Sequence, residues 1–272
     1  VGLDNPDAVP RPRHRMSTRA KVLTFDIETR PMQAWVWDAK TRYITPDKIT
    51  DHGGMLTWAA KWYAEKPVMF GSLWDDGHEG MVHRLWELID QADIVVGYNS
   101  DRFDLKRINT EFIRLGLPKP RPVRSVDLLK TVRSQFGFPY NRLDEIAREL
   151  GLPRKVTHQG FGLWTACMAG DEKARKLMRR YNCGDVRVTE TVYDALRPWI
   201  PNHPNLNLWA DRDDDGRPIE TCCNCGSTKL TRQADSKAHT ALTAYALVTC
   251  AACKTHMRRN YVLERTTLRP AR

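Results

Sequence analysis

Long apolar runs are missing from this chain. None of its 272 residues belongs to a stretch approaching the roughly 18 consecutive apolar positions of a membrane span, which argues against a membrane protein. Cysteine is scarce outside one segment. Five of the seven lie between positions 222 and 253, leaving Cys167 and Cys183 to be read as small core residues. An odd count with paired C-x2-C spacing argues against a disulfide framework and for bound metal in a reducing compartment. The N-terminal twenty residues lack an apolar segment and are rich in Pro and Arg (Pro10-Arg11-Pro12-Arg13-His14-Arg15). They read as a flexible basic arm, 1–20, rather than a signal peptide. Internal repeats and long low-complexity segments are also lacking. Acidic residues are nearly absent from the end of the chain: residues 222–272 hold nine Lys/Arg against two Asp/Glu. Of the net charge of +10, this tail supplies +7 and residues 1–20 supply +2, so residues 21–221 are close to neutral at +1. A near-neutral body with basic ends suits the holding of polyanions. A merely solvated surface explains the same distribution.

Periodicity divides the chain. Residues 21–27 read as a buried strand, 30–53 as irregular, and 55–63 and 67–74 as two further strands. After a Gly-containing bend at 76–80, Val82, Leu85, Trp86 and Ile89 recur at helical spacing over 80–91. A short strand at 93–97 leads to a helix over 103–116, closed by Gly116 and Pro118. A strand near 122–126 precedes helices at 127–135, 141–150 and 171–196. Strands first and strand–helix alternation afterwards predict an α/β domain, a mixed sheet with helices on its faces. Residues 201–221, Pro-rich with the acidic turn Asp213-Asp214-Asp215-Gly216, read as a linker.

What is present includes three short acidic motifs in a set order. In Phe25-Asp26-Ile27-Glu28-Thr29, strand geometry points Asp26 and Glu28 to one face and Ile27 to the other. Two exposed acids at a strand end are the plain alternative. In Asn99-Ser100-Asp101-Arg102-Phe103-Asp104, Asp104 opens a helix just beyond a strand's carboxyl end, where α/β sheets build sites. Helix capping explains it too, and Asp101 with it. In Tyr181-Asn182-Cys183-Gly184-Asp185, Tyr181 and Asp185 share one helix face. A core tyrosine with a surface acid is the alternative there. Together the motifs can bring four carboxylates and a phenol to one point. Two carboxylates about 5 Å apart repel by roughly 3 kcal/mol at an effective dielectric of about 20. Divalent ions remove that repulsion and give the cluster a use.

The order D-x-E, N-x3-F-D, Y-x3-D resembles the DEDD superfamily of 3′–5′ exonucleases, tyrosine subtype (DEDDy). It is similar to the exonuclease domains of family B DNA polymerases and to stand-alone phage and bacterial exonucleases. The resemblance covers about residues 20–200. It takes in Asp127-Leu128-Leu129, Leu143-Asp144-Glu145-Ile146-Ala147, Leu163-Trp164, Gly170-Asp171 and Tyr193, and position 180 is Arg where the histidine subtype has His. It implies a ribonuclease-H-like fold with a five-stranded mixed sheet over residues 21–200. It also implies a site with two Mg²⁺ or Mn²⁺ ions. Asp26 would bridge both ions, Glu28 and Asp185 would hold the ion that binds the attacking water, Asp104 would help hold the second, and Tyr181 would orient the water. Trp35, Trp37 and Phe103 are candidates for stacking on terminal bases, core packing being the other reading. Asn99 is a candidate for bracing the loop or touching substrate. Lys155 and His158 are candidates for meeting phosphate.

Cys222-x2-Cys225 and Cys250-x2-Cys253 form two knuckles separated by 24 residues. This spacing predicts a four-cysteine zinc site and resembles a zinc ribbon, with strands near 241–249, in a module over 222–272 that ends in the basic tail. Cys223, His239 and His256 are alternative ligands. The module binds nucleic acid or docks a protein. The whole chain is thus expected to be a two-metal 3′–5′ exonuclease acting on single-stranded DNA ends in a bacterial or phage-infected cytoplasm, working alone or in trans with a polymerase or another replication or repair protein. An exoribonuclease of the same superfamily and a non-catalytic zinc-ribbon adaptor are the alternatives.

Overall fold

The computed structural model describes residues 20–155 and 160–268. Two compact units divide the chain, residues 21–194 and the part that contains residues 195–272.

In the first unit, strand β1 (Val22–Arg30) is central. Its alternation sends Leu23, Phe25 and Ile27 into one apolar layer and leaves Thr24, Asp26 and Glu28 on the opposite face. A two-stranded ribbon, β2 (Gln33–Ala34) with β3 (Ile49–Asp51), lies within the segment expected to be irregular. Strand β4 (Gly54–Trp62) pairs antiparallel with β1, and β5 (Met69–Ser72) antiparallel with β4. Strands β6 (Ile94–Gly97) and β7 (Arg124–Asp127) add in parallel on the other side. The order β5-β4-β1-β6-β7 is a mixed five-stranded sheet.

Parallel neighbours require crossovers, and helices supply them. Helix α1 (Leu73–Gln91) leads into β6 and α2 (Asp104–Arg114) into β7. The first of these starts earlier than its apolar periodicity suggests: Ser72 caps it by accepting the Asp75 N–H, and Gly77, at φ 67°, breaks the helical path between the cap and the periodic stretch. Helices α3 (Leu128–Gln135) and α4 (Leu143–Glu149) follow, then α5 (Gly162–Met168), which periodicity does not reveal, and the long α6 (Glu172–Leu196). Met81, Val82 and Leu85 of α1 and Ile108 and Phe112 of α2 cover Leu23, Phe25, Ile27 and Trp58. Across the sheet, Ala59 leaves room for α6, whose Cys183 and Val186 pack on it and on Phe70. Leu56 meets Met178 and Tyr181 of the same helix and Cys167 of α5. Cys167 and Cys183 are both buried, as their isolation in the sequence suggests.

In the second unit, β8 (Leu230–His239), β9 (Thr243–Cys250) and β10 (His256–Arg265) form an antiparallel sheet in the order β10-β9-β8. The segment 201–221 is tied into this unit rather than running free. Leu206 is fully buried and its N–H donates to the Cys223 carbonyl, while the Thr221 amide and hydroxyl donate to Asn207 Oδ1. Among the described residues no helix is long and apolar enough to cross a membrane. The basic arm expected at the N-terminus and His158 lie outside the described residues.

Candidate active site

The polar face of β1 meets α6 at the centre of the sheet. One carboxylate oxygen each from Asp26, Glu28 and Asp185 lies within 4.8 Å of the others. The β1–β4 register slips after Glu28, and such bulges re-aim side chains beside active sites. Asp185 is buried while Asp26 and Glu28 are half-buried. Tyr181, one helical turn before Asp185, hydrogen-bonds its carboxylate and packs edge-on against Trp164 with ring centroids 6.2 Å apart.

Asp104 adjoins this trio from the start of α2. It is 4 % exposed at the start of α2, and its Oδ1 accepts the Ile27 N–H at 3.2 Å. Asp26, Glu28 and Asp185 thus converge most closely, and Asp104, held by the β1 backbone, is the neighbouring acid that acts most strongly on Asp26. The turn before α2 depends on Gly97, where a Cβ would fall 2.5 Å from the Ser100 Cβ. Asn99 adopts φ 63°, and its N–H donates to Asp127 Oδ1 at 2.8 Å, so it braces the loop. Asp127 also caps α3 through the Leu129 N–H. Asp101 is paired with Lys130 at 2.6 Å and plays no part in the cluster.

Three polar or aromatic neighbours, Trp164 among the positions of the resemblance, had no role assigned from the sequence. Asn182 is fully buried. Its Nδ2 donates to Asp26 Oδ2 at 2.7 Å, and its Oδ1 accepts the Thr57 hydroxyl at 2.9 Å, a relay that fixes the Asp26 carboxylate. Trp164 hydrogen-bonds Glu28. Phe161 is 66 % exposed and lines, with Glu28, Thr29, Pro31, Gly160 and Trp164, a cleft of about 480 Å³. The signal for Asn182 was a polar residue beside Tyr181 on a helix flank that must face the sheet. Of the candidate substrate contacts, Trp35 and Trp37 are 77 % and 97 % exposed, so they are not core residues. Phe103 is partly exposed, with the Arg107 guanidinium 4.7 Å above its ring. Lys155 Nζ sits 2.5 Å from Asp185 Oδ2 and over the Tyr181 ring.

Electrostatically the acids outnumber the one cation that reaches them, Lys155. Burial, then repulsion from Asp104, Glu28 and Asp185, pushes Asp26 well above the usual carboxylate range, with Lys155 opposing. Burial and Asp185 push Glu28 up to about 8. Burial pushes Asp104 up to about 7 against the hydrogen bond from Ile27. An all-oxygen donor set of this charge fits a hard divalent cation such as Mg²⁺ or Mn²⁺. One consequence concerns pH. Carboxyl groups whose folded-state values lie above their unfolded ones favour the fold while protonated. That contribution is complete below about pH 4 and is lost as the pH rises through about 7 to 8. Thermal melts in magnesium-free buffer are therefore expected to fall between about pH 5 and 8, and the gain from added Mg²⁺ to widen over that range. A magnesium gain independent of pH would show that the ion binds elsewhere.

The second unit holds its own cluster. Sulfurs of Cys222, Cys225, Cys250 and Cys253 all lie within 4.8 Å of one another. Cys222 to Cys253 and Cys225 to Cys250 are each 3.6 Å, near the roughly 3.8 Å edge of a tetrahedron with Zn–S about 2.3 Å. Thiol donors from Cys223, Cys225 and Cys253 hold Cys222 well below the usual thiol range. The Cys222 thiolate in turn holds Cys225 well above that range and Cys253 up to about 11. Metal binding to such a site takes the remaining protons off its sulfurs. Cys223 falls outside the four, as do His239 and His256; His256 Nδ1 instead lies 2.9 Å from Thr249 Oγ1.

The cluster of acids on β1 and α6 within this sheet topology can be set against known proteins. No curated protein matches the chain significantly. Among solved structures, the family B DNA polymerase from the hyperthermophilic archaeon Pyrobaculum calidifontis superposes with a TM-score of 0.52 at 19 % identity, over 73 % of this chain and 26 % of the polymerase. That likeness is one of fold, and this chain matches only about a quarter of the polymerase's length. The sequence profile of the RNase H superfamily matches residues 55–197, a stretch that begins after Asp26 and Glu28 and takes in Asp104, Tyr181 and Asp185. With more than half of its length matched, and with the mixed five-stranded sheet that carries the acids, the chain belongs to the RNase H superfamily.

Proposed function

We propose that this protein is a tyrosine-subtype 3′–5′ exonuclease. It hydrolyses phosphodiester bonds at the 3′ ends of single-stranded DNA and releases nucleoside 5′-monophosphates. The observation that carries the reading is the convergence of Asp26, Glu28 and Asp185 beside the Tyr181 phenol. Support comes from the superfamily, from the fold shared with a family B DNA polymerase, and from the motif order that ends in tyrosine rather than histidine.

Asp26, Glu28, Asp104 and Asp185 would hold two Mg²⁺ or Mn²⁺ ions. When bound, such ions neutralise the acids and polarise the in-line displacement at phosphorus. In the reaction, water oxygen forms the new bond to phosphorus and the 3′ oxygen of the preceding nucleotide leaves, taking up a proton. Asn182 keeps Asp26 in register through the hydrogen bond it donates. Burial and the neighbouring acids hold Tyr181 well above the usual phenol range, so it keeps its proton and orients the water rather than deprotonating it. Phe161, Trp35, Trp37 and Phe103 offer exposed rings for terminal bases, and Lys155 a cation for phosphate. Residues 21–200 would form the catalytic domain. Residues 222–272 would form a zinc ribbon, with 201–221 folded onto it.

Tyr181→Phe removes the hydroxyl while keeping the ring that packs on Trp164. It is expected to lower kcat roughly 10- to 100-fold with little change in KM, as measured by single-turnover hydrolysis. The decisive experiment uses a 5′-labelled single strand with Mg²⁺ or Mn²⁺. The proposal expects a descending ladder and mononucleotide release. A ladder from RNA but not DNA would make the protein an exoribonuclease. Nicking of a circular single strand would point to a different activity of the superfamily.

A further inference from the structure

The three-stranded sheet of the second unit has two unlike faces. On β9, Ala244, Ala246, Val248 and Cys250 are buried, while Thr243, Tyr245, Leu247 and Thr249 alternate with them half-exposed. Register carries the second face onto β10. Arg265 lies opposite Thr243, Val262 opposite Tyr245, Arg258 opposite Leu247 and His256 opposite Thr249. The Arg258 guanidinium is stacked over the Tyr245 ring, 4.3 Å from its centroid. Two of the described acids near this face are already paired: Glu264, opposite Ala244, with Lys237, and Glu220 with Arg259. Among the described residues, Arg258, Arg265 and Lys254 have no acidic partner, in a segment with nine basic residues and two acidic ones.

A sheet face built only for stability would neutralise its cations across the strands or cover its apolar positions. This face does neither. It offers a planar cation on an aromatic ring, half-exposed Leu247 and Val262 beside that pair, and unpaired cations towards either end. Its rows from Thr243 to Thr249 span six residue steps, roughly 20 Å. We propose that this face binds a single strand of nucleic acid, with bases against the Tyr245–Arg258 stack and phosphates on Arg265 and Lys254. The charge selects a polyanion. The stacking platform selects one with accessible flat faces, which an acidic peptide lacks and a duplex keeps hidden between its base pairs. Because binding needs no cleavage, the inference stands apart from the nuclease reading.

The test is fluorescence anisotropy with the full chain, zinc-loaded and in magnesium-free buffer, and a labelled strand of about 15 thymidines. Tyr245→Ala and Arg258→Ala are each expected to weaken binding roughly tenfold, and Arg258→Lys less, since it keeps charge but loses the planar stack. Arg265→Gln is expected to lower the slope of log affinity against log salt by about 0.7. Zinc content and far-ultraviolet circular dichroism report that each variant is folded. Unchanged strand binding in the Tyr245→Ala/Arg258→Ala double variant overturns the proposal. So does competition by duplex DNA or polyglutamate equal to that of the thymidine strand. A chromogenic mononucleotide ester, which has no strand to offer, separates the two readings. If wild type hydrolyses it and strand binding survives the double variant, only this proposal falls. If nothing is hydrolysed yet binding is lost in the variants, this proposal holds and the nuclease reading falls.

Discussion

Asp26→Asn is expected to reduce exonuclease activity at least roughly a thousandfold, about 4 kcal/mol of barrier. The substitution is nearly isosteric, and an amide oxygen can still accept the Asn182 hydrogen bond, so the fold should survive. What is lost is one of three converging charges, in the proposed position between both metal ions. The same change relieves repulsion in the metal-free protein, where Asp104, Glu28 and Asp185 all act to push Asp26 upward. Activity and metal-free stability are thus expected to move in opposite directions: the ladder assay goes silent while the melting temperature in magnesium-free buffer at pH 8 rises. The stabilisation that Mg²⁺ confers on wild type should largely vanish. A variant that keeps wild-type cleavage would remove Asp26 from the mechanism. One that is inactive but also destabilised would make its role structural.

Cys250→Ser is expected to release zinc and to unfold the second unit. Little apolar mass is buried there apart from the sulfurs: Leu196, Leu206, Ala244, Ala246 and Val248 are the buried aliphatic groups among the described residues of 195–272. A core of that size does not offset the chain entropy of about 70 ordered residues. A structural four-cysteine site contributes on the order of 10–16 kcal/mol at neutral pH, enough to decide the outcome. Amide resonances of residues 195–268 should collapse to random-coil positions, while those of 21–194 keep their dispersion. Cys223→Ser, whose sulfur lies outside the four, should leave zinc content and spectrum unchanged. Full dispersion in zinc-free Cys250→Ser would mean that the sheet folds without the metal.

Much of the fold was legible because its signals are local. Lys21 to Ile27 alternate or run apolar as a buried strand must, and Val188 and Val192 repeat at helical spacing in α6. Misreadings came where local signals fail. Helix α5 has only seven residues, begins with a glycine and is too short for periodicity to register. The first turn of α1 was hidden by Gly77. Residues 201–221 have a linker's composition, yet their order rests on hydrogen bonds such as Leu206 to Cys223, invisible to any short window. The site follows the same division. The spacing of Asp26 and Glu28 on a strand, and of Tyr181 and Asp185 on a helix, foretold which side chains share a face. Distances could not be read that way, so the hydrogen bond from the Ile27 amide that fixes Asp104 beside β1 was not foreseen. Asn182 went unnoticed because its partner, Asp26, lies 156 residues away.

That separation bears on when the acidic cluster can form. Strand β1 carries two of the converging acids, and the third, with the tyrosine and the asparagine, arrives on α6. At about 5–20 residues per second, synthesis would leave Asp26 waiting roughly 8 to 30 seconds for its partners. Throughout that interval the emerging polypeptide lacks one of the three converging acids and cannot close the cluster. Closure of the cluster thus waits on the last long element of the first unit, and a chain stopped before α6 would hold the β1 acids without their third partner.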